Sequence, residues 1–235
     1  MLLVLTAADI AAVGPGVLTK WKESLLIELY RRTLSKVSGE QDKTVGPDSL
    51  KQLASDVARE LTSAAVGNLD WIESQLGQFP LRYLHGTPPK RIAAHLEAVG
   101  RLQAGHVLVE HSFNEELGTC EFTVITHDTL TPGIFSKTAG VMAAQGLDIL
   151  DAQIITRNDG IVVNTFQASD PDFAGVPPVE RLADTAEMII RVLHGEESVE
   201  QLRSRKTRLS SASRLFTSPQ ATEVLIDNTI SDRFT

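Results

Sequence analysis

The stretch Thr123–Thr165, TVITHDTLTPGIFSKTAGVMAAQGLDILDAQIITRNDGIVVNT, decides the fold. Phe122, Val124 and Thr126 alternate with period two and predict a strand. Thr131-Pro132-Gly133 then turns the chain, and proline sets the φ that a first helical turn needs. Ile134, Phe135, Thr138, Ala139 and Met142 share one helical face, and Gly146 is placed as the left-handed residue that stops the helix. Leu150, Ala152 and Ile154 line one face of a second strand. Asn158-Asp159-Gly160 makes a tight turn into a return strand, Ile161–Ser169, because Asp-Gly tolerates positive φ.

Working outward, Val107 and Val109 open a strand before Phe122, with Glu115–Gly118 as the turn between them. Pro177-Pro178 opens a last helix with Leu182, Ala186, Ile189, Ile190 and Leu193 inward. The order is strand, strand, helix, strand, strand, helix, which predicts an antiparallel four-stranded sheet covered on one face, an α+β sandwich. Residues 1–104 instead keep a helical period: a helix over Leu2–Val13, a second carrying Trp21, Leu25 and Leu29, a third over Asp48–Ala65 with Leu53, Val57, Leu61 and Ala65 in one stripe, a short one around Trp71, Ile72 and Leu76, and one opened by Pro88-Pro89 with Ile92, Leu96 and Leu102. After Gln201 the chain is polar through Ser213, then offers one short strand, Thr222–Asp227.

The chain has 235 residues with 42% hydrophobic and 22% charged side chains, enough for a buried core. Its net charge of -8 opposes nonspecific binding to nucleic acid or to an anionic membrane. The basic cluster Arg203, Arg205, Lys206 and Arg208 sits in a Ser-rich stretch and reads as a solvated linker. A single cysteine, Cys120, excludes an internal disulfide and points to a cytoplasmic protein, with Cys120 as a small core residue. Met1–Leu5 is too short for a signal peptide or a span.

Thr131-Pro132-Gly133-Ile134-Phe135, followed by Gly146-Leu147-Asp148-Ile149-Leu150, resembles the ligand-sensing ACT domain, whose pattern is Asp-x-Pro-Gly-apolar, a helix, then Gly-apolar-Asn/Asp-Ile. The resemblance implies a ferredoxin-like fold and a ligand site made of Asp128, Thr131, Pro132, Gly133, Ile134, Leu147, Asp148 and Ile149. Chemically, glycine lets a ligand approach the backbone and free amides at the helix start attract a carboxylate. An amino acid fits such a site, with Asp148 pairing its ammonium across a dimer of modules. Equally, Pro-Gly is a plain helix cap and Asp148 a solvated turn residue. Asp128-Thr129-Leu130-Thr131 holds two residues more before Pro-Gly than the pattern requires, which leaves the role of Asp128 open.

Leu5-Thr6-Ala7-Ala8-Asp9-Ile10-Ala11-Ala12-Val13-Gly14-Pro15, continuing to Trp21–Tyr30, resembles the closing segment of the HD phosphohydrolase domain in the bifunctional PII uridylyltransferase/uridylyl-removing family. That family runs nucleotidyltransferase, HD domain, then two ACT domains. The resemblance implies an HD ending over 1–35, a helical connector over 36–104, an ACT domain over 105–200, a linker over 201–220 and the opening of a second ACT domain over 221–235. Asp9 matches the last metal ligand of an HD site, which in the full-length family holds a divalent ion, Mg or Mn. The other ligands and the nucleotidyltransferase motif are not in this sequence, so Asp9 is expected to be a remnant and no cofactor is expected for this chain. His106 and His111 are too loosely spaced to replace those ligands. The implied partners are glutamine or another amino acid, PII, a separate catalytic half, and a second copy joined through ACT domains. A free-standing ACT binding or dimerisation module, using the edge strand near Val107–Val109, and a nonfunctional gene fragment are the alternatives.

Overall fold

Period-two patterning beyond Gly105 and helical patterning before it produce two packed layers on the faces of one sheet. A computed structural model describes residues 2–14, 17–37, 47–62, 68–173 and 175–204. In chain order its elements are α1 (Leu2–Ala12), α2 (Lys20–Val37), α3 (Pro47–Glu60), α4 (Leu69–Leu76), α5 (Leu81–Gly86), α6 (Pro89–Arg101), β1 (Leu108–Asn114), β2 (Thr119–His127), α7 (Ile134–Gln145), β3 (Asp148–Thr156), β4 (Ile161–Ser169) and α8 (Val179–Leu193). A further helical stretch covers 199–204. Residues 38–46 of the expected connector, Ala65, Arg205, Lys206 and Arg208 of the linker, and all of 221–235 with its expected strand lie outside the described residues.

The sheet order is β1-β2-β4-β3, antiparallel throughout. This is the spatial arrangement of the ferredoxin-like split βαβ sheet, with the edge beside β2 supplied by β1 from the N-terminal side instead of by a strand after α8. Cys120, Phe122 and Val124 of β2, with Phe166 and Ala168 of β4, face α7 and α8 and pack on Val141, Met142, Leu182, Ile189 and Leu193. Each large apolar side chain removed from water there contributes about 1.5–3 kcal/mol. The fold is the expected α+β one.

The expectation of a sheet covered on one face is corrected. Ile125, Ile155 and Val163, on the opposite face, join a second core with Val57, Ile72, Leu76, Tyr83, Ile92 and Leu96 from α3–α6. The connector helices thus cover the apolar end of the second face. The remaining end is polar and internally bonded: Thr119 Oγ1 donates to Gln167 Oε1 at 3.1 Å, Thr123 and Thr165 hydroxyls lie 3.3 Å apart, and Arg91 Nη2 donates to Glu121 Oε2 at 2.6 Å.

Smaller departures have local causes. A β-bulge between Ile149 and Asp151 shifts the register, so Leu150 leaves the face that Ala152 and Ile154 share. Phe135 is 46% exposed, although its ring stacks on buried Phe166 at 5.7 Å. The third helix stops at Glu60, and α5 was not anticipated because its six residues follow Pro80 without a period of their own. Helix α1 buries no residue, and Leu2, Val4, Leu5 and Val13 stand exposed.

Within the second core, Tyr83 Oη lies 2.7 Å from His95 Nδ1, and His95 is 3% exposed. Burial, with a smaller contribution from the Arg91 charge, lowers the His95 pKa to about 4. Burial likewise raises the Tyr83 phenol. A histidine held neutral by folding binds its proton more readily when unfolded, so its stabilising contribution is complete above about pH 6.5 and is lost as pH falls toward 4. The expected result is a loss of about 2 kcal/mol between pH 7 and 4.5, measured by urea unfolding. His95→Leu should flatten that segment of the pH profile.

Candidate functional site

Asp128 continues the ladder beyond β2, its N–H donating to the Gly160 carbonyl at 2.9 Å, and the chain then turns through Thr131 and Pro132. Gly133 has φ 73° and ψ 36°, a left-handed conformation that glycine adopts freely. A Cβ there would lie 2.8 Å from Ser136 Oγ. No side chain caps α7; Ser136 Oγ instead donates to the Gly133 carbonyl at 3.0 Å. The first-turn N–H groups therefore keep their capacity for an outside acceptor. Lys137 bonds Thr131 Oγ1 through its ammonium, which holds a cation at the elbow, on the residue two before Gly133. Asp128, Pro132 and Gly133 are exposed, Thr131 is half-buried and Ile134 is buried. Uncapped amides beside an ammonium form a place for a carboxylate.

The other predicted residues sit at the opposite end of α7. Gly146, with φ 87°, donates to the Ala143 carbonyl at 3.1 Å and Leu147 to that of Met142 at 3.0 Å, a Schellman closure. Arg181 braces this end, donating from Nη2 to the Gln145 carbonyl at 2.6 Å and from Nε to Asp170 at 3.0 Å. Leu147 is buried, while Asp148 and Ile149 are exposed at the start of β3. Twelve helical residues separate the two groups, a span of about 18 Å. One copy does not bring Asp148 to the elbow.

A joint not anticipated from the sequence links the elbow to the connector. Asp128 faces the β3–β4 turn closely enough that a Cβ on Gly160 would lie 3.2 Å from its Oδ1. In that turn Arg157, its side chain 0% exposed, donates to Asp159 at 2.7 Å and to Gln75 Oε1 of α4 at 2.7 Å, and lies 4.8 Å from the Phe79 ring centroid. Asn158 N–H donates to the Gln78 carbonyl at 2.9 Å. Partial burial works to raise the Asp159 pKa, but the hydrogen bond and charge of Arg157 outweigh it and hold the carboxyl below its ordinary range. The only sequence signal for this joint is an arginine before a tight turn, a common surface feature. Lys137 was missed because its partner, Thr131, is met only after the helix forms.

Asp9 stands exposed on α1, and among the described residues no three histidine, cysteine or carboxylate side chains gather as a metal site. One solvated carboxylate does not fit a divalent ion. A groove of about 830 Å³ opens between α6 and the β1–β2 hairpin, but Arg91 and Glu121 in it pair with each other and none of the predicted site residues reaches it. Among the described residues no helix is long and apolar enough to cross a membrane.

No protein-family model matches the chain. All of it aligns with bifunctional uridylyltransferase/uridylyl-removing enzymes: 32% identity over 237 residues in Bradyrhizobium diazoefficiens, 33% over 244 in Rhodospirillum rubrum and 32% over 244 in Azospirillum brasilense. It spans 25% of the length of each of these relatives. Over its whole length the chain is therefore similar to a part of the bifunctional uridylyltransferase/uridylyl-removing enzymes.

Proposed function

We propose that this chain is an amino-acid-sensing regulatory part of a uridylyltransferase/uridylyl-removing system acting on PII, with glutamine as the ligand. The observation that carries the reading is the uncapped start of α7 at Gly133 with Lys137 beside it. The ligand carboxylate takes the first-turn N–H groups and the Lys137 ammonium. Because Asp148 lies about 18 Å away in the same copy, its pairing with the ligand ammonium requires the equivalent end of another ACT-like module. Ordering the elbow then acts on Asp128 and Gly160, and through the Arg157 joint on α4 and α5. Differential binding to the two elbow states is what makes such a change regulatory. Uridylyl transfer and removal would be carried by a catalytic half, to which α1 and α2 present their apolar surface.

Calorimetry of the full chain with glutamine tests this, with saturable heat at millimolar concentrations expected. No heat at that concentration would remove the sensing role and leave assembly as the function. A specific feature favours that second reading: edge strand β3 exposes Ile149, Leu150 and Ile154, an apolar margin suited to pairing with another copy.

A further inference from the structure

Asn164 is a polar residue in the wrong solvent. It lies in the middle of β4, between Val124 of β2 and Ile154 of β3, on the sheet face that packs against α7 and α8. It is 1% exposed, and its Oδ1 accepts no hydrogen bond. A buried carbonyl without a donor is costly, and native structures keep such a group only where something else satisfies it or its cost serves a purpose. Its position is informative. Phe166, two residues further along β4 on the same face, stacks on Phe135 in the first turn of α7, so Asn164 lies one step nearer the elbow end of the sheet than the residue that meets that turn.

We infer that Asn164 is the specificity-determining residue of the elbow site and that it recognises a primary carboxamide on the ligand side chain. This rests on the sensing function proposed above and names the chemistry that selects the ligand. A carboxamide offers an N–H donor to Oδ1 and a carbonyl to the Asn164 amide, a reciprocal pair. A carboxylate offers no donor, and would leave Oδ1 unsatisfied beside a second acceptor. The elbow amides and Lys137 bind the α-carboxylate of any amino acid; Asn164 distinguishes among them.

The test compares the full chain with Asn164→Leu, which keeps the branched side-chain skeleton and removes both polar atoms, using calorimetry with glutamine, asparagine and glutamate. The unaltered chain should bind glutamine at least about tenfold more tightly than glutamate, and the variant should bind the two within about twofold. Retained discrimination in Asn164→Leu overturns the assignment of Asn164 while glutamine binding itself stands. Absence of heat with all three amino acids removes the sensing function and this inference together. Should the leucine variant fail to fold, Asn164→Ser serves, with the same loss of discrimination expected and its retention contradictory.

Discussion

Replacing Arg157 with alanine lowers the free energy of unfolding by about 3–5 kcal/mol, the range for removing one member of a buried charged network. Its guanidinium is fully buried and joins Asp159 in the turn, Gln75 in α4 and the face of Phe79. No other side chain in the turn replaces these contacts: Asn158 holds only to the backbone, at Gln78 and Gly77. The loss falls on the junction between sheet and connector and not on the sheet itself, so amides of α4 and α5 should exchange faster while those of β2 and β4 keep their protection. Urea unfolding and hydrogen exchange together read this. Arg157→Lys keeps the charge but not the fork, and should recover less than half of the loss. A change below about 1 kcal/mol in the alanine variant would mean that the joint is incidental to the fold.

Gly133→Val should destabilise by about 3 kcal/mol and abolish amino-acid binding. The backbone is left-handed at φ 73°, which a β-branched residue tolerates poorly, and the added Cβ would lie 2.8 Å from Ser136 Oγ. Relief requires Ser136 to turn away or the elbow to open, and either change redirects the first-turn amides. Gly175→Ala is the fitting control, since a Cβ there meets nothing within 4 Å, and it should be neutral within about 0.5 kcal/mol. Binding by Gly133→Val with undiminished affinity would show that the ligand does not use these amides.

Much of the sheet half could be read in advance because its signals are local. Phe122 and Val124 alternate, Pro132-Gly133 and Asp159-Gly160 punctuate, and Gly146 stops a helix whose closure needs positive φ. Each is decided within a few residues. The second core was not legible, since Ile125, Ile155 and Val163 announce a buried face only when it is known which helices reach them. Arg157 and Asn164 illustrate the same limit from the polar side. An arginine before a turn and an asparagine in a strand look like surface residues in sequence, and only tertiary packing shows both buried, Arg157 paired through Nε and Nη2 with Nη1 left over, and Asn164 with its Oδ1 unsatisfied. Of the predicted site, the elbow residues Thr131, Pro132, Gly133 and Ile134 form one locus, with Asp128 turned to Gly160. Leu147, Asp148 and Ile149 form another, because helix length separates what the motif writes as one pattern.

An amide-resolved NMR titration of the full chain with glutamine addresses the central claim directly. The account predicts that the largest shifts fall on the N–H groups of Ile134, Phe135 and Ser136, with smaller ones continuing through Asp128 and Gly160 to Asn158. Shifts confined to the groove beside α6, or none at the start of α7 despite saturable binding, would contradict it.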